Sequence, residues 1–154
     1  MGRVHTYRVD LDWTSPAGTT GFVGYDRDHI VSARGREMIL GSSDPAFRGS
    51  RDRWNPEQLL VASIAQCHML WYLHLACWSG VVVTAYHDVP MGTMRENDDG
   101  SGQFEQVVLR PTVTVTHESM VDAALAAHWR VSEMCFITRS LNFPVHHEPT
   151  VLVR

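Results

Sequence analysis

Arg53-Trp54-Asn55-Pro56-Glu57-Gln58-Leu59-Leu60-Val61-Ala62-Ser63-Ile64-Ala65-Gln66-Cys67-His68-Met69-Leu70-Trp71-Tyr72-Leu73-His74-Leu75-Ala76-Cys77-Trp78-Ser79-Gly80 is the longest helical signal in the chain. Asn55 is a good N-cap, Pro56 suits the first helical position, and Gln58 stands where a capping box returns its hydrogen bond to the cap residue. Gly80 supplies a left-handed terminal residue, and the β-branched run Val81-Val82-Val83 after it belongs to a strand. The spacing therefore predicts a helix from Pro56 to Ser79, about 36 Å long by its rise per residue. After Glu57 it carries no charged residue. A helix apolar nearly all round must be buried on most sides. A chain of 154 residues can hardly do this alone, so a second subunit is expected to supply part of the cover.

The rest of the composition narrows the function classes. Hydrophobic residues make up 44 %, which says globular, and the net charge of −4 leaves no electrostatic footprint for nucleic acid or an anionic membrane. All 13 basic residues are Arg, so Schiff-base and P-loop lysine chemistry is ruled out. Met1 to Asp10 has no apolar leader core, and Gln66, His68 and His74 interrupt the long helix. No signal peptide or membrane span is expected, and the protein reads as cytoplasmic. Met1-Gly2-Arg3-Val4-His5-Thr6 formally fits a myristoylation pattern, but Val4, Tyr7, Val9 and Leu11 read as a first strand. Cys67, Cys77 and Cys135 form neither a disulfide scaffold nor a zinc spacing. Nine histidines are scattered: His68 and His74 are six apart, and His146-His147 would point to opposite faces of a strand. Neither metal nor cofactor is expected.

In chain order, Arg3–Trp13, Gly21–Gly24, Arg27–Ala33 and Arg36–Leu40 read as short strands of an antiparallel meander. A polar loop, Gly41–Trp54, leads into the long helix. Val81–Val89 and Phe104–Thr116 read as a hairpin around the polar turn Pro90–Gly102, whose tip is Asn97-Asp98-Asp99-Gly100, with Pro111 marking an edge or a bulge. Ser119 is placed to cap a helix reaching His128, Ser132 a short second helix with Cys135 near its start, and Glu148–Arg154 closes as a strand. The pattern is α+β in a single domain, residues 1–154.

Cys67 stands in mid-helix, where burial alone would raise its pKa and leave it inert without an Arg or His nearby. Cys135, near a helix start, would enjoy free N–H groups that favour an anionic sulfur. Two thiols on separate helices are what a two-cysteine peroxide cycle needs, one attacking and the other resolving the sulfenic acid. Cys77, near the helix end, is expected in the core, and Trp71, Tyr72 and Trp78 in a dimer core.

Asn55-Pro56-Glu57-Gln58-Leu59-Leu60, a Cys ten residues after that Glu, and a second Cys sixty-eight residues later together resemble the OsmC/Ohr family. The strand Gln103–Pro111 and the segment Phe143-Pro144-Val145 also fit, so the resemblance spans nearly the whole chain. It implies the OsmC-like fold, antiparallel sheets wrapped around a long central helix in an intertwined homodimer. It also implies thiol-dependent reduction of organic hydroperoxides to alcohols. By that resemblance Cys67 is the peroxidatic cysteine, Cys135 the resolving one, and Glu57 the acid that orients an active-site Arg. Arg27 matches the position used in the Ohr branch and Arg48 the OsmC branch, with Arg51 and Arg53 as neighbours that fit neither. The chain departs from many members in having Phe136, not Pro, after the second Cys.

Glu57 and Cys67 lie about 15 Å apart along one helix, so a Glu57 that serves the sulfur must serve the partner's, with two composite sites at the interface. The expected reductant is a dithiol of the lipoyl or thioredoxin type. The competing reading is a non-enzymatic dimer that binds a small lipophilic ligand in an apolar interface pocket.

Overall fold

The computed structural model describes residues 2–154 and divides into two compact units, one ending at Leu59 and the other Leu60–Arg154. The first unit holds an antiparallel three-stranded sheet, β1 (Asp10–Asp12), β2 (His29–Ser32) and β3 (Ile39–Gly41), in sequential order. These strands are shorter than the sequence implies. Arg3–Trp13 contracts to β1, and Gly21–Gly24 is a turn closed by the Gly24 N–H on the Gly21 carbonyl at 3.0 Å.

The loop after β3 is tied by short polar bonds. Asp44 caps a 3-10 turn (Pro45–Phe47) through the Ala46 N–H at 2.8 Å and accepts from Asn55 Nδ2 at 3.1 Å. At Gly49 the main chain passes so close to the Ser43 carbonyl that a methyl group would overlap it. Arg48 stands between these features with φ 68°, the only non-glycine residue at positive φ among those described.

Helix α1 (Pro56–Trp78) begins and ends as its caps dictate. Asn55 Oδ1 accepts from the Gln58 N–H at 2.8 Å and Gln58 Oε1 from the Asn55 N–H at 3.3 Å, the reciprocal capping box. At the far end Gly80 has φ 73°, and Val81 N–H reaches the Ala76 carbonyl at 2.9 Å, as in a Schellman turn. Within one chain the helix is buried along one stripe, short of the burial on most sides that was expected with a second subunit's help. Only the stripe Ile64, His68, Tyr72, Leu75 and Ala76 is buried, while Gln66, Leu70, His74, Cys77 and Trp78 are exposed. Cys77, expected in the core, is on that open face.

In the second unit the two expected hairpin strands do pair antiparallel in part, but the strands sort into two sheets. β4 (Val83–His87), β7 (Thr112–Val115) and β9 (Thr150–Val153) form one; β5 (Met91–Glu96), β6 (Gly102–Leu109) and β8 (Val145–His147) form the other. β5 pairs with β6 around the Asn97–Gly100 tip, and β4 pairs with β7. Pro111 is neither edge nor bulge within one long strand. It splits Phe104–Thr116 into β6 and β7 and so passes the chain from one sheet to the other. The pairs β6–β8 and β7–β9 are parallel, an addition to the antiparallel pattern expected.

A single helix, α2 (Val121–Met134), follows β7, where two were expected. Ser119 lies in the 3-10 turn before it, and Ser132 lies inside it, its hydroxyl donating to the Trp129 carbonyl at 3.0 Å. Ala124, Ala127 and Val131 of α2 pack with Tyr72, Leu75 and Ala76 of α1 and with Val113 and Val115 of β7. A second cluster joins Ile64 to Val107 and Leu109. Ile137 touches both.

Candidate functional site

Cys67, in the middle of α1, and Cys135, just past the end of α2, bring their sulfurs to 2.6 Å, with the Cys135 thiol donating. Both thiols are free. Cys135 is completely buried and Cys67 half-buried, so the pair has one face that a small molecule can reach. The expected helix start at Cys135 is corrected: it is the C-cap of α2, with φ −69° and ψ 110°. The negative end of the helix dipole gives an anionic sulfur no help there. Main-chain N–H groups come instead from the turn that follows. Thr138 N–H donates to Cys135 Sγ at 3.4 Å, and the N–H groups of Ile137 and Phe136 act on Cys67.

Burial pushes the Cys67 thiol up, the Cys135 hydrogen bond adds to this, and the Ile137 and Phe136 N–H groups pull the other way. Two neighbours border the sulfurs. Trp71 stands edge-on to Phe136 at 5.7 Å, and Phe136 is 70 % exposed.

Beside Cys67, about 100° round α1, lies a group whose members are scattered in the sequence. His68 Nε2 and His128 Nδ1 are 3.0 Å apart, and His147 Nε2 lies 3.0 Å from the His128 carbonyl. Tyr72 stacks on His128 with ring centres 3.9 Å apart. Burial pushes His68 down to about 4 and His128 down to about 3, and it lowers His147 as well. In each case burial favours the neutral imidazole. The signal that could have found His128 is its place on the apolar face of α2 beside Ala124, Ala127 and Val131.

The remaining candidates, Arg27, Arg48 and Glu57, belong to the first unit. Arg27 donates to the Tyr25 and Phe22 carbonyls at 2.9 Å each and lies over the Tyr25 ring at 4.3 Å. Arg27 and Arg48 converge on one ring, their guanidinium carbons 5.1 and 5.5 Å from the centre of Phe22. Arg27 also lines a basin of about 460 Å³ together with Leu11, Trp13, Tyr25, His29 and Pro56. Arg53 is occupied by Asp28 at 2.8 Å, and Arg51 is exposed. The hydrogen bond from Ser50 holds the Asp28 carboxyl below its ordinary range. Among the described residues Glu57 has no ion-pair partner, and its Oε2 is buried with nothing donating to it.

The OsmC-like protein family matches residues 49–150, which includes Glu57 and both cysteines of the pair. This chain belongs to that family. Solved structures agree on the fold of this OsmC-like protein. An OsmC-like protein of unknown function from Vibrio cholerae is 27 % identical, with 95 % of this chain and 99 % of that one covered and a TM-score of 0.84. An organic hydroperoxide resistance protein from Elizabethkingia anophelis, solved with thiocyanate bound, is 14 % identical over 97 % of this chain and 99 % of its own, with a TM-score of 0.68. A putative organic hydroperoxide resistance protein from Vibrio cholerae, holding captopril in one of its active sites, is 17 % identical, with coverages of 96 % and 93 % and a TM-score of 0.64. A comparison with curated proteins finds no significant match.

Proposed function

We propose that this OsmC-like protein is a thiol peroxidase that reduces organic hydroperoxides to alcohols. The observation that carries the reading is the meeting of Cys67 and Cys135 at 2.6 Å beneath a turn whose N–H groups face both sulfurs. The Cys67 thiolate attacks the distal oxygen of ROOH, the O–O bond breaks, and ROH leaves after taking a proton, so that Cys67 becomes a sulfenic acid. The Cys135 thiol then displaces water from that sulfenic acid, and a Cys67–Cys135 disulfide forms. A dithiol of the lipoyl or thioredoxin type reduces it and is itself oxidised to a disulfide. Such a reductant fits a cytoplasmic setting. The apolar surroundings, Trp71 and Phe136, favour an organic peroxide over hydrogen peroxide.

The half-buried Cys67 needs a cation to lower its pKa, and we assign that role to Arg27. Two carbonyls and the Tyr25 ring fix its guanidinium and leave three N–H donors free, a more ordered fork than that of Arg48. Glu57, separated from Cys67 of its own chain by about 15 Å of helix, serves the sulfur of the partner in a homodimer. The names of the Elizabethkingia relative as an organic hydroperoxide resistance protein and of the captopril-bound Vibrio cholerae relative as a putative one support the substrate class.

The test is intact-mass spectrometry with thiol trapping after addition of about one equivalent of an organic hydroperoxide. The wild type is expected to lose two hydrogens quickly, and Cys135→Ser to accumulate a trapped sulfenic acid at Cys67. Slow oxidation without site preference would overturn the enzyme and favour a dimer that binds a lipophilic ligand.

A further inference from the structure

The bond between His68 and His128 has a geometry that suits holding more than filling. The two ring planes differ by 13° while their centres are 5.3 Å apart and the facing nitrogens 3.0 Å apart, so the rings lie end to end in one plane. That is a directional N–H···N bond with one proton between the rings, since burial keeps both neutral. His128 is fixed in two further directions. Tyr72 covers its face at 3.9 Å, and His147 of β8 holds its carbonyl at 3.0 Å. His128 is completely buried and His68 5 % exposed.

His128 and Cys135 are seven residues apart, two turns of α2, so they sit on one face about 10 Å from each other along the axis. His68 is the neighbour of Cys67. α1 is therefore joined to α2 through nitrogens and to the C-cap of α2 through sulfurs. Among the described residues these are the only side-chain hydrogen bonds from α1 to α2 or its C-cap. The other contacts at this crossing include the small side chains Ala124 and Ala127, and α2 starts without a side-chain cap. Small apolar contacts tolerate rotation of a helix about its axis; a directional bond does not. A turn of about 20° moves an atom at or beyond the Cα radius by about 1 Å. A misplacement of that size can cost a reaction on the order of a hundredfold.

We propose that His68 and His128 are positioning residues, a clamp that sets the rotation of α2 and thereby holds Cys135 against Cys67. The role rests on the disulfide step of the function proposed above and adds two residues to it. Neither imidazole touches the peroxide or exchanges a proton with the sulfurs.

The experiment measures the effective concentration of Cys135 at Cys67. A Cys77→Ser background removes the exposed third thiol. The reduced protein is equilibrated with reduced and oxidised glutathione, alkylated, and weighed. His128→Phe keeps a ring against Tyr72 but has no nitrogen; His128→Asn restores a polar group near Nδ1. The expected result is at least a tenfold fall in effective concentration for His128→Phe and recovery to within threefold for His128→Asn. The same contrast on the other helix is His68→Leu against His68→Gln, so the test survives a variant that fails to fold. In nitrogen-15 spectra one slowly exchanging ring N–H, coupled to both imidazoles, should vanish in His128→Phe and in His68→Leu. A folded His128→Phe with wild-type effective concentration would overturn the clamp while leaving the peroxidase intact. A wild type that forms no disulfide at any glutathione ratio would overturn the clamp and the two-thiol step together. The one-thiol reaction is then still readable as sulfenic acid in Cys135→Ser.

Discussion

In the first unit all three residues of β1 are exposed and Tyr7, Leu11 and Phe22 show 88, 67 and 69 % of their surface, whereas in the second Val107, Leu109, Val113 and Val115 show none. The first unit keeps its shape with polar ties, among them Asp44–Asn55, Ser50–Asp28 and Arg53–Asp28. The second keeps its shape with two apolar clusters. The difference shows which apolar surface is open to a partner. A chain that leaves such apolar surface open on its N-terminal strands, and Leu70 and Trp78 open on its long helix, has surface that a second copy would cover.

The sharpest way to break that comparison is to charge the open face of α1. Leu70→Glu would bury an unpaired carboxylate in any dimer that uses this face, so association should weaken at least a hundredfold by sedimentation. A wild type that sediments as a monomer at micromolar concentration would refute the covered face outright.

A second test asks whether the second unit is held by neutral imidazoles. His68 and His128 titrate near 6.5 in an unfolded chain but are held down to about 4 and about 3 when folded. Between these values the unfolded chain takes up protons that the folded one refuses. Stability should therefore fall as pH drops from about 6.5 to about 4.5, by up to about 1.4 kcal/mol per imidazole per unit. Asp28, held low by Ser50, titrates below that window. Urea unfolding should show a shallower slope in His128→Phe, and an unchanged slope would show that other groups carry it.

The smallest effect belongs to the first unit. Arg48 pays for its φ of 68° with roughly 1 kcal/mol of backbone strain. Arg48→Gly should recover up to about that amount in denaturant unfolding. Its peroxide reduction should stay within twofold of wild type if Arg27 is the working guanidinium, and a loss of tenfold or more would transfer the role to Arg48.

The helix was legible because its signals are local. Asn55, Gln58 and Gly80 act within a turn of the residues they cap, and the structure has each bond in place. Strand pairing was not, because it is decided far along the chain. β5 carries Gly92, Arg95 and Glu96 and reads as polar turn, yet β6 recruits it. Pro111 marks an edge or a bulge in the sequence, and in the structure it marks the point where the chain changes sheets. The cysteine pair was found from residue type and family pattern, while the structure put Cys135 at the opposite end of a helix from the one expected. His128 and His147 come together with His68 only through the packing of α1, α2 and β8, which no spacing announces.

Trp71 stands edge-on to Phe136 at 5.7 Å, on the turn whose N–H groups face the two sulfurs. Indole emission responds to nearby sulfur and to small shifts of its surroundings. Under the proposed cycle, oxidation of the pair is expected to change Trp71 emission, a change readable in a stopped-flow cuvette without a label.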